Sequence, residues 1–301
     1  MGFALVIVVL LGSADSAPAP QAQPKGKKLP PPVELGGNDL LTSDGVQLAA
    51  TFYPGTQGQD TVPIVLLHMA DGSRKDYLEL APVLQEQGHA VLVPDLRGHG
   101  DSTRTRFGGT VRLDSRRAAS VMYYDMVYKD MEALRRFLID KNDAAELNLN
   151  RLCIVGAEMG AAVALYYAQN DWTMPRREAD RLGPPQDVKA LALISPDWAF
   201  PGLPLSKPLG DPIVRSQIAM MILVGKEESK PLSDARRIHK LLQRHHPAER
   251  QDLFIFELPT KLQGTKMVGV KSLAIEVAIH RFIEGHMAQN RYSWEQRGKG
   301  K

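Results

Sequence analysis

The sequence predicts an α/β domain built on a mostly parallel sheet with helices on both faces. Three observations carry that expectation. Short uninterrupted apolar runs at 63–67, 90–93 and 152–155 look like strands covered on both sides. Amphipathic helical patterns lie between them, and such alternation implies parallel pairing with helices packed on the sheet. The third run leads into a turn framed by Gly156 and Gly160, which opens a helix rich in small residues.

Length and charge bound the function. A chain of 301 residues can bury a large core as one domain. A formal charge of +3 is too near balance to suggest a nucleic-acid partner. Cys153 is the only cysteine, so no intramolecular disulfide forms, and its apolar neighbours make it a small buried hydrophobe. Residues 3–11 are an apolar run too short to span a bilayer as a helix. Followed by small residues, the run reads as a signal peptide over 1–17, with cleavage after Ala14 or Ala17. Export to a periplasm or the extracellular space is therefore expected.

The elements follow in order. Residues 18–32, rich in Pro and Ala, read as an extended linker, and the folded domain is expected over 33–288. The Asp44-Gly45 turn and the alternation over 46–53 suggest an antiparallel edge hairpin. After the strand at 63–67, apolar positions over 75–87 suit a helix that Gly88 ends. The strand at 90–93 leaves through Pro94-Asp95-Leu96-Arg97-Gly98-His99-Gly100, and Met131, Leu134, Phe137 and Leu138 mark another helix. Beyond the glycine-framed turn, strands are expected at 190–194, 220–224 and 253–258, with helices over 234–243 and 272–284. Segments 101–127, 170–188 and 197–219 carry few strand signals and should roof a site at the strand ends. Residues 289–301 form a polar tail in which Trp294 is expected to be exposed.

Gly156-Ala157-Glu158-Met159-Gly160 has the frame of a nucleophile elbow, a strained strand-to-helix turn that lifts one side chain above the sheet. Together with His68 and the Pro-Asp-Leu-Arg-Gly-His-Gly-Asp-Ser run, it resembles the α/β-hydrolase superfamily, especially the small esterases and dienelactone-hydrolase-like members. The resemblance covers roughly Leu41 to Met287. It implies the α/β-hydrolase fold, with a site at the carboxyl ends of the strands.

The resemblance also assigns positions. The nucleophile position is Glu158 where Ser is usual. The acid position, in Gly225-Lys226-Glu227-Glu228, matches Glu228. The base position, in Lys261-Leu262-Gln263-Gly264, is Gln263 where His is usual. The oxyanion hole would use the Met159 amide and that of Met69 or Ala70, although the glycine usual after His68 is absent. Asp71, Asp197 and Trp198 would line the pocket.

The chemistry of these residues leaves two readings open. A carboxylate is ionised at neutral pH without an activating base, and some family members do use Asp here as a nucleophile. The resulting ester must then be hydrolysed with help from a His, whereas Gln263 has no proton exchange near neutrality. Glu also reaches about 1.5 Å further than Asp. Its charge suits a helix N-terminus, by roughly 0.3–1 kcal/mol, so the carboxylate is expected to occupy the oxyanion hole beside the Met159 or Ala70 amide. His68 is a candidate proton carrier by position; structural hydrogen bonding is its commoner role. Glu158 with Glu227, Glu228, Asp197, Asp71 or His68 shows no recognised metal-ligand spacing, so neither metal nor cofactor is expected. Trp172 and Trp198 either line an apolar cleft or pack the roof. One reading is a protein that binds a small-molecule ligand or a protein partner without hydrolysis, having no nucleic-acid partner and no stable membrane span. The other is an active hydrolase of esters, lactones, epoxides or haloalkanes that uses Glu158 as nucleophile or base.

Overall fold

The computed structural model describes residues 28–106, 112–117, 120–173, 186–287 and 292–298. The expected signal peptide over 1–17 and most of the linker lie outside the described residues.

The main sheet has eight strands: β1 (Val33–Leu35), β2 (Ala49–Tyr53), β3 (Pro63–Leu67), β4 (Ala90–Asp95), β5 (Leu152–Ala157), β6 (Val188–Ile194), β7 (Ala219–Gly225) and β8 (Leu253–Leu258). Their spatial order is β1-β2-β4-β3-β5-β6-β7-β8. The first two strands pair antiparallel, β2 also lies antiparallel to β4, and every later pairing is parallel.

The apolar runs are continuous because both faces of the sheet are covered. Ile64 and Leu66, Val91 and Val93, and Cys153 and Val155 face one core layer, where α1 (Leu80–Glu86) packs with the last helix, Ile275–Met287. Val65 and Leu67, Leu92, and Leu152 and Ile154 face the other. That layer holds α2 (Ser120–Asp125), α3 (Met131–Asp143), α4 (Met159–Thr173), α5 (Ser206–Gly210), α6 (Val214–Gln217) and α7 (Ser229–Gln243). The last helix is α8. Alternation along each strand is the period-2 pattern of a pleated sheet. Every residue of α4 from Met159 to Ala168 is buried, which explains its run of small apolar residues.

Several expectations change in detail. Residues 46–53 do not form one strand. Val46–Gln47 pairs antiparallel with Arg104–Thr105, so the 101–127 excursion begins with a short ribbon, while β2 pairs with β1 and β4. The helix expected over 75–87 divides into a tight turn at Arg74–Tyr77 and α1. Pro82 has no N–H for a bond to an earlier turn, so the helix starts only just before it. Residues 292–298 dock instead of trailing in solvent. Trp294 is half-buried and its Nε1 donates to the Asn142 carbonyl at 3.2 Å. Arg297 forms a buried ion pair with Asp187 at 2.9 Å. Among the described residues no helix is long and apolar enough to cross a membrane.

Candidate functional site

Strand β5 ends in a tight turn whose centre, Glu158, holds φ at +47°. L-residues reach that region at a cost of roughly 1–2 kcal/mol. The turn is held by three hydrogen bonds: the Glu158 N–H donates to the Ile194 carbonyl at 2.9 Å, and the Ala161 and Ala162 N–H groups donate to the Glu158 carbonyl at 3.1 Å each. The flanking glycines are needed for clearance. A Cβ on Gly160 would lie 2.2 Å from the Leu67 carbonyl oxygen, and one on Gly156 would lie 2.4 Å from that of Gly160. Helix and strands approach so closely that only hydrogen fits at either position.

The Glu158 side chain is half-buried. Burial raises its pKa, Asp71 and Asp197 push the same way, and Lys266 and Lys230 oppose them. The carboxylate does not take the expected place in the oxyanion hole. Among the described residues it accepts no hydrogen bond from the Met159, Met69 or Ala70 amide. It lies instead against Gly264, where an added Cβ would sit 2.8 Å from Oε1 and 2.9 Å from the Met69 sulfur. The carboxylate thus lies beside the loop that bears Gly264 and Lys266.

Gln263 is held by its surroundings. Its Nε2 donates to the Gly225 carbonyl at 2.9 Å, and its Oε1 accepts from the Gly225 N–H at 3.2 Å. The Ser195 hydroxyl donates to the same Oε1 at 2.7 Å and accepts from the Gly264 N–H at 2.9 Å. The side-chain amide thus pairs with both the N–H and the carbonyl of Gly225 at the end of β7, and Ser195 ties that pair to β6. Ser195 is buried at φ +48°. Sequence reasoning missed it, because its only signal is a Ser-Pro pair at a strand end.

Glu228 lies exposed at the start of α7 and its side chain caps no N–H of that helix; neighbouring Glu227 is also exposed. No hydrogen bond among the described residues links Glu158, Gln263 and Glu228. His68 is fully buried; its Nδ1–H donates to the Met69 carbonyl at 2.7 Å, and its Nε2 accepts from the Leu96 N–H at 3.1 Å. Both ring nitrogens are committed to backbone, and burial followed by His99 lowers the pKa to about 4. His99 contacts the Arg97 and Ala70 carbonyls. The loop carrying Met69 and Ala70 is therefore fastened at both carbonyls.

At the rim, Asp71 is exposed, and Asp197 accepts from the Ala199 N–H at 3.1 Å and from Lys230 at 3.0 Å. The Arg237 guanidinium stacks 3.9 Å over the Trp198 ring. Trp172 donates from Nε1 to the Val188 carbonyl at 2.7 Å and packs against the core. A cleft of about 500 Å³ opens beside Ala70, Asp71, Gly72 and His99. The site thus offers a half-buried carboxylate, an acidic rim with two lysines nearby and, among the described residues, two imidazoles, His68 and His99, both held by main chain.

The strand order, the elbow and its position at the carboxyl ends of the strands are those of α/β hydrolases. The chain belongs to that family: the model for the alpha/beta hydrolase fold matches residues 62–247. Similar solved structures include an esterase of Pyrococcus furiosus, at 17% identity and a TM-score of 0.57, over 85% of this chain and 93% of that one. A putative hydrolase of Agrobacterium vitis matches at 16% identity and a TM-score of 0.55, over 85% of this chain and 100% of that one. An esterase of Exiguobacterium antarcticum matches at 14% identity and a TM-score of 0.51, over 84% and 100%. At these identities the likeness is one of fold. No curated protein matches the chain.

Proposed function

We propose that this protein is a non-hydrolytic α/β-hydrolase-fold member that binds a small-molecule ligand or a protein partner at the inherited site, and that it is exported. The observation that carries this reading is the Gln263 amide paired with the Gly225 peptide and the Ser195 hydroxyl. Ester hydrolysis by this family's chemistry needs a group at that position that takes and returns a proton. An amide cannot do so, and here its hydrogen-bonding capacity serves the backbone. His68 offers no substitute, because both its nitrogens are bonded to main chain.

A second reading has one observation in its favour. The Glu158 carboxylate is half-buried with a raised pKa, a property shared with general acids and bases. A panel of short acyl esters, lactones, epoxides and haloalkanes, assayed with the purified protein and its Glu158→Gln variant, separates the two. The non-hydrolytic reading expects background rates from both proteins. Turnover by the wild type that disappears in Glu158→Gln would establish the active-hydrolase reading instead.

A further inference from the structure

A second cluster lies at the opposite end of the sheet. His89 occupies the turn between α1 and β4, immediately before β4 begins, whereas Glu158 follows the end of the parallel strand β5. The His89 side chain is 1% exposed, and among the described residues neither ring nitrogen has a hydrogen-bond partner. Facing it from α8 are His280 and Glu284, four residues apart and so on one side of the helix. The two imidazole centroids are 5.7 Å apart, and His280 Nδ1 is likewise buried without a partner. Glu284 Oε1 lies 3.7 Å from His89 Nε2. One donor atom from each of the three residues lies within 4.8 Å of the others.

We propose that His89, His280 and Glu284 bind a divalent transition-metal ion, zinc foremost. Buried polar groups in native proteins almost always have partners, and a bound ion is one of the few things that accounts for an unsatisfied one. Here two histidines that carry unsatisfied nitrogens converge with a carboxylate. Two imidazoles and one carboxylate are a zinc donor set that leaves a further position for water. Tetrahedral zinc with bonds near 2.0–2.1 Å places its donors roughly 3.4 Å apart. Rotation of the Glu284 and His280 side chains can close the remaining gap. Glu284, 46% exposed, gives the ion a path from solvent. The ion would pin α8 to the turn preceding β4, two elements otherwise joined here by apolar packing. Copper, nickel and cobalt would compete for the same nitrogens.

The test uses untagged full-length protein stripped with a chelator, then titrated calorimetrically with Zn²⁺ and spectroscopically with Co²⁺. One ion per chain, visible Co²⁺ bands of low-coordinate type and a higher Tm are expected. His280→Gln and Glu284→Gln change residues outside the buried core, and each should weaken binding roughly tenfold or more. Circular dichroism confirms that both variants fold. Failure of the wild type to take up a stoichiometric ion, or uptake unaltered in the double variant, overturns the proposal.

Discussion

Glu158 holds a left-handed backbone that glycine adopts at no steric cost, and its carboxylate is partly desolvated without a hydrogen bond from the hole. Glu158→Gly should therefore stabilise the fold by about 0.5–1 kcal/mol, the strain relieved less the added freedom of the unfolded chain. Denaturant titration measures it, and a clear loss of stability would mean that the carboxylate holds something in place. At Gln263 the isosteric change to Glu sets an oxygen against the Gly225 carbonyl. Both Gln263→Glu and Gln263→Ala should cost about 1–3 kcal/mol, because Gly225 and Ser195 lose partners. A neutral Gln263→Ala would remove the structural role argued for this amide. The contribution of His68 to stability depends on pH with a definite sign. Its pKa is about 4 in the fold and near 6.5 in the unfolded chain, so below pH 6.5 the unfolded state takes up a proton that the fold refuses. The stability that His68 contributes should fall as pH drops from about 6.5 towards 4, read as the difference in Tm between the wild type and His68→Gln against pH; a difference independent of pH would contradict it.

The elbow as an element depends on two close approaches. Gly160→Ala drives a methyl group into the Leu67 carbonyl and Gly156→Ala drives one into that of Gly160, and neither backbone can yield. Each should cost about 1–3 kcal/mol or more. A neutral result in thermal melts would deny the tight contact. This element was legible in the sequence because glycine spacing after an apolar strand has a single steric meaning. The strands were legible too, through their unbroken apolar runs. The direction of the Glu158 carboxylate was not, since it depends on Gly264, more than a hundred residues away. Nor was the locking of Gln263, which requires the ends of β6 and β7 and the loop after β8 to be neighbours. His89, His280 and Glu284 stayed hidden for the same reason: helical spacing relates the last two, and only the fold brings His89 to them.

On the scale of the whole molecule, a shared core carries Glu158, Gln263 and Glu228, which no hydrogen bond among the described residues links. The sheet, the elbow and the helix layers lie intact around them. The docked segment 292–298 belongs to that intact scaffold: Arg297 reaches the buried Asp187 carboxylate, which Arg135 also pairs at 2.8 Å. Arg297→Ala should lower stability by about 3 kcal/mol, the low end for breaking a buried pair, because Arg135 still neutralises Asp187. The central claim concerns chemistry, and hydrolysis in H₂¹⁸O tests it most directly. Every hydrolytic route, whether through a Glu158 ester or through water activated by Glu158, transfers solvent oxygen to the product or to the Glu158 carboxylate. With the ester, lactone, epoxide and haloalkane panel, the account predicts no protein-dependent ¹⁸O in products or in the peptide containing Glu158. Label in either that depends on wild-type protein and is lost in Glu158→Gln would contradict it.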